Sequence, residues 1–257
     1  MKVTFLGSGT SLGVPVVGCD CEVCHSEDPR DRRSRSSVAL HLGDRRVLID
    51  TTPDLRAQAL ACNLNRVDAV LYTHTHADHI FGLDDLRIYS LRQGEAIPLY
   101  GPAATLEKLR RTFWYAFEDA PTGGTKPQVS LIEVDKQIEL FGATFQTVPV
   151  WHHQDLIVGY RVGAFAYLTD VSRIPDESRP LLEDLDVLVL NALRRRPHPS
   201  HLHLSAALEE AQRIGARRTF FTHISDDLHH ATTEADLPSE VRLAYDGLTL
   251  EIDSRKG

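Results

Sequence analysis

The chain has no apolar run near the ~20 residues needed to cross a bilayer as a helix, so no membrane partner is expected. It has no surplus of positive charge either. A formal net charge of −8 argues against a stable nucleic-acid partner, because such binding rests on Lys and Arg neutralising phosphates. The clusters Arg30/Arg32/Arg33/Arg35 and Arg194-Arg195-Arg196 are read as solvated or salt-bridged faces. Low-complexity linkers and short-period repeats are absent, and the chain is read as a single domain spanning 1–257. Residues Met1 to Leu6 read directly as a strand, without the basic and apolar regions of a signal peptide, and the expectation is a cytoplasmic protein. Gly7-Ser8-Gly9-Thr10 lacks the Gly-Lys-Ser/Thr ending of a phosphate-binding P-loop, and its glycines are expected to permit a tight turn.

Cysteine is scarce: there are four, and three fall within Cys19-Asp20-Cys21-Glu22-Val23-Cys24. In a reducing compartment that spacing favours metal ligation over disulfides. Cys62, in an apolar stretch, is expected to fill the core face of a helix.

What is present is an ordinary globular composition, 42% hydrophobic and 25% charged. Short strands rich in Val, Ile, Leu, Phe and Tyr are expected at 2–6, 38–42, 46–49, 69–72, 98–100, 128–133, 144–149, 157–162, 164–168, 187–190, 219–222 and 248–252. Helices are expected at 53–62, 84–92, 102–114 and 205–214, with Pro53 and Pro102 in first turns, Ser205 as a cap and Gly215 as a stop. Two similar strand-rich halves with helices outside make a four-layer αββα sandwich of mixed α/β class. The stretch 113–127, with Trp114, Tyr115 and Phe117, interrupts the pattern and reads as a lid, a subunit contact or an ordinary packed loop.

Thirteen histidines concentrate around four segments. The densest is His74-Thr75-His76-Ala77-Asp78-His79, between an apolar run and a Gly/Asp-rich turn. In an extended or turning backbone alternate side chains share a face. His74 and His76 can therefore approach one cation, and the turn presents Asp78 and His79 to a second. Imidazole and carboxylate without thiolate suit a catalytic transition-metal site. Further donors follow later apolar strands: His152-His153, Asp170, His223, and the loop His198-Pro199-Ser200-His201-Leu202-His203. Asp50 closes the 46–49 strand, either to orient a ligating histidine or to serve a turn or cap.

Together with Phe5-Leu6-Gly7-Ser8-Gly9-Thr10, Leu168-Thr169-Asp170, Pro199-Ser200-His201 and Thr222-His223-Ile224-Ser225, these segments carry a resemblance to the metallo-β-lactamase-fold hydrolases from Met1 to about residue 251. Within them the chain looks most like the phosphodiesterase branch that includes the phosphoribosyl 1,2-cyclic phosphate phosphodiesterases. The resemblance implies that His74, His76 and His152 hold one divalent ion, that Asp78, His79 and His223 hold the other, and that Asp170 bridges them. His153 stands where relatives often have glycine, to assist or replace His152. Zinc or manganese, with iron a further option, would fill the pair and hold a hydroxide for attack on an ester-like bond. Asp78 then belongs to the catalytic as well as the ligand set. His201 resembles the family's non-ligand active-site histidine, a donor to the phosphate or the departing oxygen. His198 and His203 read as exposed polar residues.

In the resembling enzymes the three cysteines bind a structural zinc with a histidine as fourth ligand. Asp226 stands at that position here. A carboxylate is an acceptable zinc ligand; the alternatives are His25, His229 or His230, or no zinc. The substrate implied is a small-molecule phosphodiester: a cyclic-nucleotide-like or sugar cyclic phosphate, or a short oligonucleotide. The alternatives are a lactone, thioester or carboxylic ester, and a non-catalytic binding protein. Asn191, where close relatives often have Asp, marks a place where the chemistry could differ. A homodimer is implied by resemblance alone.

Overall fold

The computed structural model describes residues 1–118 and 125–252. Among them the strands are β1 (Lys2–Gly7), β2 (Ser37–Leu42), β3 (Arg45–Ile49), β4 (Ala69–Leu71), β5 (Ile97–Gly101), β6 (Val129–Glu133), β7 (Gln137–Leu140), β8 (Ala143–His152), β9 (Asp155–Val162), β10 (Phe165–Leu168), β11 (Val187–Asn191), β12 (Arg218–Thr222), β13 (Val241–Leu243) and β14 (Thr249–Glu251). The helices are α1 (Leu55–Ala61), α2 (Ala77–Ile80), α3 (Leu86–Gln93), α4 (Ala103–Thr112), α5 (Trp114–Phe117), α6 (Leu204–Ile214) and α7 (His230–Ala235).

The strands form two seven-stranded sheets, ordered β14-β1-β2-β3-β4-β5-β6 and β13-β12-β11-β10-β9-β8-β7. Each sheet is antiparallel in one half and parallel in the other. The alternation of the strands explains the layering. Val3, Phe5, Val38, Leu40, Val47 and Ile49 of one sheet meet Phe145, Tyr160, Phe165, Tyr167, Val187 and Val189 of the other in a fully buried centre. Residues of opposite parity turn outward. Leu48, Val70 and Leu99 pack under α1, α3 and α4, while Leu188, Leu190 and Phe221 pack under α6. At ~1.5–3 kcal/mol for each large side chain removed from water, these layers dominate stability. The arrangement is the αββα sandwich of the metallo-β-lactamase fold.

Several local expectations change. β7 and β13 are extra strands, short ones on the outer edges of the second sheet. β8 runs through Pro149 to His152 because β7 pairs only with residues 143–146, so the proline interrupts no second ladder. Ser205 is exposed, and His203 occupies the N-cap of α6 without a side-chain capping bond. Gly215 does end α6, in the left-handed conformation. Gly9 serves close approach rather than a tight turn: a Cβ there would lie 2.6 Å from the Arg33 carbonyl oxygen. Cys62 caps α1 at the C-terminal end, partly buried against the helix layer. Of the stretch 113–127, residues 119–124 lie outside the described residues.

Candidate metal centre

The parallel strands of both sheets end at one edge of the sandwich, and the turns beyond them converge there. β3 hands over to Asp50, β4 to Tyr72–His79, β10 to Thr169 and Asp170, and β12 to His223; β8 ends in His152 itself. Hydrogen bonds tie the sheets at this edge, two of them at the histidine motif. The Tyr160 hydroxyl donates to the Tyr72 carbonyl at 2.7 Å, and Val158 N–H to the Thr73 carbonyl at 3.3 Å. The motif of the first sheet is thus held against the second.

One ligand atom from each of His74, His76, His152 and Asp170 lies within 4.8 Å of the others, and so do atoms of Asp78, His79, Asp170 and His223. The one-turn helix α2, entered at His76, separates the pairs: His74 and His76 stay on the first group, and Asp78 and His79 swing to the second. Asp170 belongs to both. Its Oδ1 lies 3.4 Å from His79 Nε2 and 3.4 Å from His223 Nε2, and its Oδ2 lies 3.8 Å from His74 Nε2. Asp78 Oδ2 is 3.4 Å from His79 Nε2 and 3.5 Å from His223 Nε2. Ligands about 2.0–2.1 Å from a tetrahedral ion stand about 3.3–3.4 Å apart, so these spacings fit one cation.

The nitrogens facing this point are otherwise unpaired. His74 Nε2, His79 Nε2 and both ring nitrogens of His223 are buried without a hydrogen-bond partner among the described residues. Such groups are costly unless something satisfies them. In His79 and His152 the other ring nitrogen is anchored so that Nε2 points inward. His79 Nδ1 sits 2.7 Å from Asp50 Oδ2, and His152 Nδ1 lies 2.7 Å from the Asp170 carbonyl oxygen and 2.9 Å from that of Ser200. Asp50 also accepts from the Thr73 N–H and hydroxyl, at 2.9 and 2.8 Å. It therefore orients a histidine rather than capping a helix. His153, by contrast, is exposed, at a positive φ of 55°.

Electrostatics point the same way. Burial pushes His74 well below its usual pKa, with the neighbouring His79 adding to the effect, which leaves the neutral, ligating form. Burial opposes charge on His79, but the Asp170, Asp78 and Asp50 carboxylates outweigh it and hold the ring well above its usual value. For Asp170 burial opposes ionisation, and His223 and His79 outweigh it. The carboxylates demand positive charge at this spot, which a cation would supply.

His201 reaches the same place from the loop after β11. Its Nε2 is 3.1 Å from Asp170 Oδ2, and its ring stacks on His223 at 4.9 Å and 17°. His198 lies beside it, partly buried, contrary to the exposed position expected. His203 is partly buried at the start of α6. Asn191 is a brace: its side-chain oxygen accepts from Val171 N–H at 2.6 Å and its amide donates to the Val171 carbonyl at 3.2 Å. It fixes the chain just after Asp170.

The cysteine cluster forms a second candidate site. Asp226 Oδ2 lies 3.4, 3.5 and 3.9 Å from the sulfurs of Cys19, Cys21 and Cys24. Sulfur and oxygen on one tetrahedral zinc stand about 3.6 Å apart. Val16 N–H donates to Cys24 Sγ and Cys24 N–H to Cys21 Sγ, contacts that favour thiolates. His25 is turned to the Cys21 carbonyl, His229 to Asp31 and His230 to Glu234. Sequence reasoning missed Arg33 here. Wholly buried, it pairs with Asp31 at 2.6 Å and donates to the Ser225 and Leu228 carbonyls, clasping the segment that carries Asp226.

Residues 45–224 match the model of the β-lactamase superfamily domain. The chain belongs to that superfamily. A crystal structure of a diphosphatase from the PhnP family is 48% identical, with 98% of each chain covered and a TM-score of 0.92. Zinc-bound PqqB of Methylobacterium extorquens shares the fold at 21% identity, covering 98% of this chain and 100% of that one, with a TM-score of 0.78. Among curated proteins, an octanoyltransferase of Porphyromonas gingivalis is 38% identical over 99% of this chain. The chain spans only 52% of that relative's length. The chain is thus a member of the β-lactamase superfamily, similar to a PhnP-family diphosphatase, whose described residues bring together His and Asp donor groups that could hold metal ions.

Proposed function

We propose that the protein hydrolyses a small phosphodiester, a cyclic or short-chain phosphate ester. The observation that carries the reading is the sharing of Asp170 between two complete donor groups. His74, His76, His152 and Asp170 would hold one divalent ion, and Asp78, His79, His223 and Asp170 the other. Two such ions supply a nucleophile at neutral pH and offset charge on phosphoryl oxygens.

The chain's own residues do the rest. Asp50 and the carbonyls of Asp170 and Ser200 fix the ligating rings. His201, with Nε2 at the edge of the donor groups, hydrogen-bonds a phosphoryl oxygen or gives a proton to the leaving alkoxide. Burial pushes this ring down to about 4, which leaves it neutral at pH 7, and an anionic substrate beside it favours the protonated form. The net negative chain offers no basic track for a long nucleic acid, which favours a small substrate.

Hydrolysis of a diphosphate is a second reading, favoured by the 48% identical relative. The two readings differ at the leaving group. A departing phosphate, with a second pKa of about 6, needs little help from an acid, whereas an alkoxide needs much. The test is a parallel assay of metal-loaded protein with a bis-aryl phosphodiester, a cyclic phosphate, a diphosphate, a lactone and a thioester. Turnover of the phosphodiesters, lowered ~10²-fold or more by His201→Ala with metal content unchanged, is expected. Turnover of the diphosphate alone would move the assignment to the second reading, and turnover of only the lactone or thioester would overturn both.

A further inference from the structure

Among the buried rings of the donor groups, His223 is the one without an anchor. His79 Nδ1 is held by Asp50, His152 Nδ1 by two carbonyls, and His74 Nδ1 lies 3.0 Å from the Thr73 hydroxyl. Both nitrogens of His223 lack such a partner among the described residues. Its ring stacks on His79 at 6.0 Å and on His201 at 4.9 Å, which sets the plane of the ring and leaves its place within that plane open. The backbone must therefore place it. His223 has a φ of 56°, a left-handed conformation that a residue with a Cβ keeps only when its surroundings impose it. Its N–H donates to the Ser36 hydroxyl at 3.1 Å, and Ile224 donates to the Ser8 carbonyl at 3.0 Å and accepts from Thr10 N–H at 3.1 Å. Further on, Arg33 holds the Ser225 and Leu228 carbonyls at 2.8 and 2.7 Å. Between those two grips, three residues past His223, stands Asp226 with its carboxylate at the three cysteines. The cysteine loop is tied to the same arginine, since Val14 and Arg33 exchange both backbone bonds at 2.8 Å. His223 and the cysteine cluster are thus the two ends of one short, braced segment.

We propose that the cysteine cluster is a positioning site for His223: closed on Asp226, it holds the segment 223–226 and so raises the affinity of the Asp78, His79, Asp170 and His223 group for its ion. The His74, His76, His152 and Asp170 group gains nothing from it, because its two buried rings have anchors of their own. Two binding events linked in this way affect each other equally, so an ion in the second group also tightens binding at the cysteines. This coupling rests on reading the donor groups as ion sites, not on which ester is cleaved.

Cobalt(II) is the probe, because cobalt on thiolate absorbs in the near ultraviolet and cobalt on imidazole and carboxylate does not. Chelator competition then gives an affinity for each kind of site. His152→Ala disables the first donor group and leaves the second, and His223→Ala does the reverse. Adding Asp226→Ala to His152→Ala should lower cobalt affinity at the sheet edge about fivefold or more, and Asp226→His in its place should restore it. Added to His223→Ala, Asp226→Ala should leave the remaining sheet-edge affinity unchanged. The thiolate band should need more cobalt to develop in His223→Ala than in His152→Ala. Equal sheet-edge affinities with and without Asp226 overturn the proposal. Equal losses in both backgrounds do so too, since they mark a general loosening of the fold, and so does wild type without a thiolate band. Wild type that takes cobalt at the cysteines alone overturns the metal reading of the sheet edge along with the coupling. Cobalt at the sheet edge that is indifferent to Asp226 overturns the coupling and leaves that reading standing.

Discussion

Asp226 shows how much one side chain decides at this scale. It brings an oxygen to three sulfurs where the resembling enzymes place a histidine, and Arg33 clasps its neighbours on both sides. Asp226→Ala should weaken zinc at the cysteines by at least the ~10–100-fold typical of losing even an outer partner of a metal site. Asp226→His should keep zinc bound. Metal analysis with thiol titration checks both; full zinc occupancy in Asp226→Ala at limiting zinc would remove Asp226 from the ligand set. The ligand-type residues could be read in the sequence because their chemistry is rare outside metal sites and their spacing is local. Arg33 could not. Its role depends on what tertiary contact brings beside it: two carbonyls from the segment around Asp226. A cluster of arginines on paper says nothing about which one is buried.

Elements were legible where a short apolar run between turn residues is also buried, as in β2, β3, β10 and β11. They were missed where the strand is a short, half-exposed edge, as in β7 and β13. The helix α2 has only four residues and no apolar period to read; packing around Asp50 and Thr51 sets it. At this scale β2 makes a pH prediction. His41 bonds the Thr4 hydroxyl at 3.1 Å, and burial, with help from the Arg46 and Lys2 charges, lowers its pKa to about 4. Its unfolded value is about 6.5. Between those values the unfolded chain binds more protons, so stability rises with pH through the window and is lost as pH falls from about 6.5 towards 4. His41→Gln should therefore flatten the slope of stability against pH in that range. Urea unfolding at pH 7, 6 and 5 measures it, and parallel slopes for the two proteins would contradict the assignment. Partial exposure of the ring keeps the expected effect small.

Across the whole molecule, the donor groups sit where the two sheets meet. His74, His76, Asp78 and His79 come from the first sheet's edge, whereas His152, Asp170 and His223 come from the second's. Any cation bound by either group bonds both halves of the sandwich at once. A ligand that binds only the folded state adds ~2.7 kcal/mol at 100 times its Kd and ~4.1 kcal/mol at 1,000 times. Each kcal/mol is worth about 2–4 °C in a chain of 150–250 residues. Two sites should then raise Tm by more than about 10 °C between chelator-treated and metal-replete protein. Zinc at the cysteines could contribute to such a shift, and calorimetry on Asp226→Ala separates it, since the donor side chains at the sheet edge are all present there. Most of the shift should survive in that variant and should disappear in Asp170→Ala, which removes the one side chain common to both groups. A Tm indifferent to chelation would mean that hydrogen bonds such as Tyr160 to Tyr72 already carry the joint between the sheets. The unpaired nitrogens of His74, His79 and His223 argue against that, because a joint complete without metal would not leave them buried and bare.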